Sequence, residues 1–103
     1  NGKTYNLLDS KTTTGAGTQI FKDSPYATFQ VSGTTASGSG SAVVVIQVSN
    51  DATNWITAGT VTLTLGTSST TDGFTTQAPW KYVRANVTTL TGTGASVSAL
   101  MGV

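Results

Sequence analysis

The 103-residue sequence contains no cysteine, no histidine and no glutamate. Without cysteine there is no disulfide framework, no thiol nucleophile and no cysteine-ligated zinc, so the fold must hold by packing alone. A disulfide-free fold works in any redox compartment, so this absence does not locate the protein. Without histidine there is no imidazole for proton shuttling or metal binding. A serine or threonine nucleophile would have only Lys or Asp as its base. Acid/base hydrolysis needs two rigidly held carboxylates, and only four aspartates are present. Asp9, Asp23, Asp51 and Asp72 are expected at strand ends or in turns, where Asp forms turns by bonding nearby main chain.

Charge is also scarce. Charged residues make up 9% of the chain and leave a net +1, against roughly 25% charged in an ordinary soluble domain. The five basic residues, Lys3, Lys11, Lys22, Lys81 and Arg84, are scattered, which argues against a phosphate-tracking stripe and hence against a nucleic-acid partner. No apolar run nears the roughly 18 residues of a membrane span; the longest, 42–46, is strand-sized, so no membrane role is expected. The stretch from Asn1-Gly2-Lys3 has no apolar signal character.

What is abundant is threonine and serine, 22 and 11 residues, with 12 glycines. The threonines interleave with Val, Ile, Leu, Phe and Trp at a period of two, which marks half-buried strands and not a disordered tract. Ala42, Val44, Ile46 and Val48 form one apolar face of the clearest strand. Val43 and Val45 make its first half apolar on both sides, so it is expected in a sheet interior or with its second face covered by another subunit. Residues 49–54 are turn chemistry, and Trp55-Ile56-Thr57 returns as the hairpin partner. Ala27, Phe29 and Val31 oppose Tyr26, Thr28 and Gln30. Val61, Leu63 and Leu65 oppose Thr60, Thr62 and Thr64. Val83, Ala85 and Val87 oppose Tyr82, Arg84 and Asn86. A last strand with Val97, Ala99 and Met101 on one face is expected to tie the chain end into a sheet, and 5–8 and 19–21 are shorter candidates.

Segments 12–17, 33–41, 66–73 and 91–94, rich in Gly, Ser and Thr, read as turns and loops. Pro79 precedes the Trp80 strand, where a missing amide proton costs nothing. Seven or eight short strands without helical periodicity predict a single all-β domain over 1–103, an antiparallel sandwich of jelly-roll type, with 1–17 an extended arm plus first strand.

Few residues offer chemistry. A calcium site at Asp51 with Asn50 and Asn54 matches no calcium-loop spacing, and backbone capping explains the same residues. Gly15-Ala16-Gly17 and Gly38-Ser39-Gly40 precede no helix whose N-terminus could face a phosphate. No cofactor and no small-molecule substrate is expected. Trp55, Trp80, Tyr26 and Tyr82 could stack on sugar rings. The residue pattern places Trp55 mostly in the core and Trp80, on the face of Tyr82 and Arg84, at a sheet edge or interface.

Several segments, in order, carry a resemblance: Leu7-Leu8-Asp9 with Thr14-Gly15-Ala16-Gly17; Phe29-Gln30-Val31-Ser32-Gly33; Val48-Ser49-Asn50-Asp51 with Asn54-Trp55; and Ala78-Pro79-Trp80-Lys81-Tyr82-Val83-Arg84-Ala85-Asn86-Val87. Over most of its length the chain resembles the small β-sandwich virion proteins that decorate or cement the capsids of tailed bacteriophages. The resemblance implies a non-enzymatic protein on the capsid exterior, bound in many copies to the major capsid protein and forming trimers or dimers. Val43, Val45, Trp80, Tyr82, Arg84 and Tyr26 are the expected interface residues. The alternative is a carbohydrate- or receptor-binding module of a virion fibre or tail.

Overall fold

A computed structural model of the chain describes residues 3–21, 26–77 and 80–103. Among these residues nine strands follow one another: β1 (Thr4–Lys11), β2 (Gly15–Ala16), β3 (Ile20–Phe21), β4 (Tyr26–Thr34), β5 (Ser37–Ser49), β6 (Ile56–Leu65), β7 (Thr70–Gln77), β8 (Tyr82–Thr93) and β9 (Ser96–Gly102). Asn1, Asp23 and Pro79 lie outside the described residues.

The strands form two antiparallel sheets. One is ordered β1-β9-β4-β7; the other is ordered β2-β8-β5-β6, with β3 also on β8. β2 and β3 are two pieces of one edge strand. Gly15 and Ala16 pair with Val87 and Asn86, and Ile20 and Phe21 pair with Val83 and Tyr82. The Gly17 amide bonds the Ala85 carbonyl at 2.8 Å in between, but the Thr18 amide turns away to the Leu7 carbonyl of β1 at 3.2 Å, which breaks the edge into two short pieces. With β2 and β3 counted as one, there are eight strand positions. The first pairs with the last (β1 with β9), the second with the seventh (β2/β3 with β8), the third with the sixth (β4 with β7) and the fourth with the fifth (β5 with β6). A long hairpin wound on itself in this way is a jelly roll, a β-sandwich as the alternation predicts.

Period-two patterning sets the layers. Ala27, Phe29 and Val31 of β4, Ala42, Val44, Ile46 and Val48 of β5, Val61, Leu63 and Leu65 of β6, Val83, Ala85 and Val87 of β8, and Val97, Ala99 and Met101 of β9 are all buried. Their neighbours on the same strands point outward. β9 sits between β1 and β4, so the last strand is tied into a sheet interior. At one side the layers lock where the Phe74 ring of β7, 5.1 Å from the Phe29 ring, lies against Gly59 of β6. A Cβ on Gly59 would strike that ring.

Three expectations need correction. Residues 66–73 are not all loop, because β7 begins at Thr70, and Asp72 therefore sits in a strand opposite Val31. An edge strand with Thr and Asp on it lacks the apolar contrast that marks an interior one. Segments 12–17, 33–41 and 91–94 shrink in the same way: Gly15 and Ala16 form β2, only Thr35 and Ala36 separate β4 from β5, and β8 runs through Thr93. The Trp55–Thr57 return and the Val61–Leu65 segment are one strand, joined through Gly59.

Candidate interaction surface

The sandwich measures 39 × 28 × 17 Å, so its two broad outer faces are the main surfaces available to a partner. They differ in chemistry. On the four-stranded sheet the central strands present Tyr26, Thr28, Gln30 and Ser32 from β4 and Ser96, Ser98 and Leu100 from β9, a surface mostly of hydroxyls and amides with one leucine and, at the start of β4, the 62%-exposed Tyr26 ring. On the five-stranded sheet the central strands present Val43, Val45 and Gln47 from β5 and Tyr82, Arg84 and Asn86 from β8.

Val43 and Val45 are half-buried and lie side by side on β5, flanked by Thr62 and Thr60 of β6 and by Thr89 and Asn86 of β8. β5 is thus a sheet-interior strand whose second apolar side is only partly covered. The shift that leaves Thr88 unopposed between Val43 and Val44 realigns β8 here, and the Thr88 hydroxyl donates to the Val43 carbonyl at 3.4 Å.

Beyond Val45 the same face turns cationic and aromatic. Gln47 and Arg84 are cross-strand partners; the Arg84 Nε donates to Gln47 Oε1 at 2.8 Å. Its guanidinium carbon stands 4.2 Å from the centre of the Trp55 ring, close enough for a cation–π contact. Tyr82 meets Phe21 edge-on, with ring centres 6.0 Å apart, and the Lys81 Nζ lies 5.8 Å from the Tyr82 ring centre. Phe21 remains 58% exposed, although an apolar ring of that size is ordinarily buried. Two cations, three rings and two valines therefore share one face.

The hairpin tip positions this end. Ser49, buried at the end of β5, accepts from the amides of Asp51 and Ala52 and donates its hydroxyl to Asp51 Oδ1 at 2.8 Å. The Asp51 carboxylate also accepts from the amides of Thr53 and Asn54, both at 2.9 Å, and from the Asn54 side-chain amide at 3.0 Å. These bonds favour the ionised form, led by the Asn54 amide and followed by the Thr53 amide, the Ser49 hydroxyl and the Asn54 side chain. They hold the Asp51 carboxyl well below the ordinary carboxylate range. Both carboxylate oxygens are engaged in closing the loop, which is the turn chemistry expected of residues 49–54. Asn50 Oδ1 accepts from the Lys81 amide at 3.1 Å, which fixes the tip against the start of β8 beside Tyr82.

Of the six expected interface residues, Val43, Val45, Tyr82 and Arg84 lie together on this face. Tyr26 stands on the other sheet, beside a shallow cleft of about 370 Å³ shared with Lys3, Thr4, Thr28, Thr75 and Val103. Trp80 packs against the core. Both tryptophans are half-buried; Trp80 touches the core, and Trp55, expected mostly in the core, lies against Arg84. β8 begins at Tyr82, after a bend at Lys81, so Trp80 does not share the alternation of Tyr82 and Arg84. It lies on the passage from one sheet to the other, half-buried against the core. Trp55, just before β6, instead lies under Arg84 on the outside. Phe21 joins the surface although its only signal in the sequence is the short candidate strand at 19–21.

No protein-family model, curated protein or solved structure matches this chain.

Proposed function

We propose that this chain is a structural virion protein that binds the outer surface of a tailed-phage capsid and stabilises the shell, docking through the outer face of its five-stranded sheet. The observation that carries the reading is the asymmetry between the two broad faces. One is mostly hydroxyl- and amide-covered, with Tyr26 and Leu100 as its apolar residues; the other joins Val43 and Val45 to Phe21, Tyr82, Trp55 and Arg84. Aromatic and arginine anchors around an apolar centre are what protein–protein interfaces concentrate. Lys81 and Arg84 suit a shell surface that offers carboxylates beside apolar side chains, and a near-neutral protein avoids long-range repulsion between crowded copies. In this reading the chain is not an enzyme, its partner is the major capsid protein, and its place is the capsid exterior.

The fibre or tail reading needs a ring platform for sugars. Trp80 lies against the core and Tyr26 stands on the opposite sheet, so of the four candidate rings only Trp55 and Tyr82 share a face, and Arg84 covers one side of Trp55. Purified protein mixed with undecorated shells of its phage is expected to sediment with them to a saturating stoichiometry and to raise the temperature at which they rupture. Protein that stays in the supernatant at every ratio removes the proposal. Glycan binding without shell binding would put the fibre or tail reading in its place.

A further inference from the structure

Each sheet ends in strands whose second hydrogen-bonding side has no partner strand among the described residues, and three of the four edges carry features that discourage further pairing. β1 is bulged twice and carries Asp9 and Lys11. The β2/β3 edge is broken into two-residue pieces. β7 carries Asp72 with Gly73 beside it. β6 differs from all three. It is ten residues long, Ile-Thr-Ala-Gly-Thr-Val-Thr-Leu-Thr-Leu, with no charged residue and no proline. Its one irregularity, the register shift between Ile46 and Gln47 that leaves Ala58 unopposed, lies near its start. Residues 60–65 follow in unbroken register with β5.

We infer that the free edge of β6 pairs with β6 of a second copy across a two-fold axis at Thr62, joining the five-stranded sheets of two chains into one. Such an interface must be self-complementary, since each residue meets its own kind or its mirror position. A charged edge repels itself there, whereas β6 has no charge to oppose. With the axis at Thr62, Thr62 faces its own counterpart and Thr60 faces Thr64 on the outer side, an all-threonine ladder of favourable cross-strand pairs. On the inner side Val61 faces Leu63, so apolar contact runs along the seam. All three threonines are exposed in the single chain and both apolar residues are buried, so pairing requires no side chain to change faces.

The inference concerns an edge and stands apart from the shell-docking reading. If both hold, β5 is one strand from the seam on each side and the dimer presents two copies of the Val43–Val45 strip on one surface.

Light scattering in solution, without shells, tests it through Thr62. The wild-type protein is expected at twice the 10.4 kDa chain mass. Thr62→Lys and Thr62→Glu each place like charges face to face across the axis and are expected at the single-chain mass, with wild-type circular dichroism. An equimolar mixture of the two variants is expected to return to the doubled mass. A wild-type protein that is monomeric at every concentration, or that forms a trimer, overturns the inference. So does a Thr62→Lys variant that stays dimeric, or a mixture that fails to reassociate. Because no shell enters the experiment, either outcome leaves the docking reading to its own test.

Discussion

At the scale of single residues the structure rests on which side of a strand a side chain occupies. Val31 and Gln30 are adjacent on β4, one fully buried and the other exposed. Val31→Asp is expected to unfold the protein, since an unpaired buried carboxylate costs several kcal/mol against a total of roughly 5–15 kcal/mol. Gln30→Asp is expected to change stability by no more than about 1 kcal/mol, the span of β-propensity effects. Thermal melts of the two variants check this, and equal losses would contradict the assignment of faces. Asp51 gives a second residue-scale test. Its carboxyl is held low in the folded protein, so as acid is added the unfolded chain takes up the proton first. The stabilisation is therefore complete above the unfolded value of about 3.9 and is lost as pH falls from there through the folded value. The melting temperature of wild type should exceed that of Asp51→Asn at neutral pH, and the gap should narrow progressively below about pH 4. A gap unchanged across the acid range would mean that the loop does not depend on the carboxylate.

At the scale of elements, what holds the sandwich together at its β6/β7 side is a ring seated where a Cβ is missing. Gly59→Ala would push a methyl into the Phe74 ring and is expected to cost about 1–3 kcal/mol as overpacking. Phe74→Leu in the same chain should recover part of that loss. A double-mutant cycle in denaturant measures the coupling; strictly additive effects would show that the contact does not lock the sheets. The elements also show what could be read from sequence. The buried faces of β4, β5, β6, β8 and β9 were legible because alternation between large apolar and polar residues is a local signal. β7 was not, because its threonines give little contrast between its two sides and Phe74 alone marks its inner face. The candidate surface was legible only where it lies on regular strands, at Val43, Val45, Tyr82 and Arg84. Trp55, Trp80 and Phe21 took positions set by a bend, by a crossing between sheets and by an edge strand broken in two. No short window of sequence reports these, and the Arg84–Trp55 contact joins residues that only the jelly-roll winding brings together.

At the scale of the whole molecule, that winding closes the chain on itself. β9 lies between β1 and β4 and contributes Val97, Ala99 and Met101 to the core, so the last strand completes one sheet and part of the interior. Removing residues 96–103 is expected to yield an unfolded chain by circular dichroism; a cooperative melt in the truncated protein would contradict this. Once closed, the sandwich has two broad faces of unlike chemistry, and the proposed function depends on that difference. The most direct test compares faces on shells. Val43→Lys with Val45→Lys buries cations in the proposed contact, whereas Gln30→Lys with Ser98→Lys places the same charge on the opposite face, and both pairs should remain folded because all four side chains point outward. In sedimentation with undecorated shells, the first pair is predicted to lose at least tenfold in affinity, about 1.4 kcal/mol, and the second to bind as wild type. Equal binding by both pairs, or a loss confined to the second, would contradict the account.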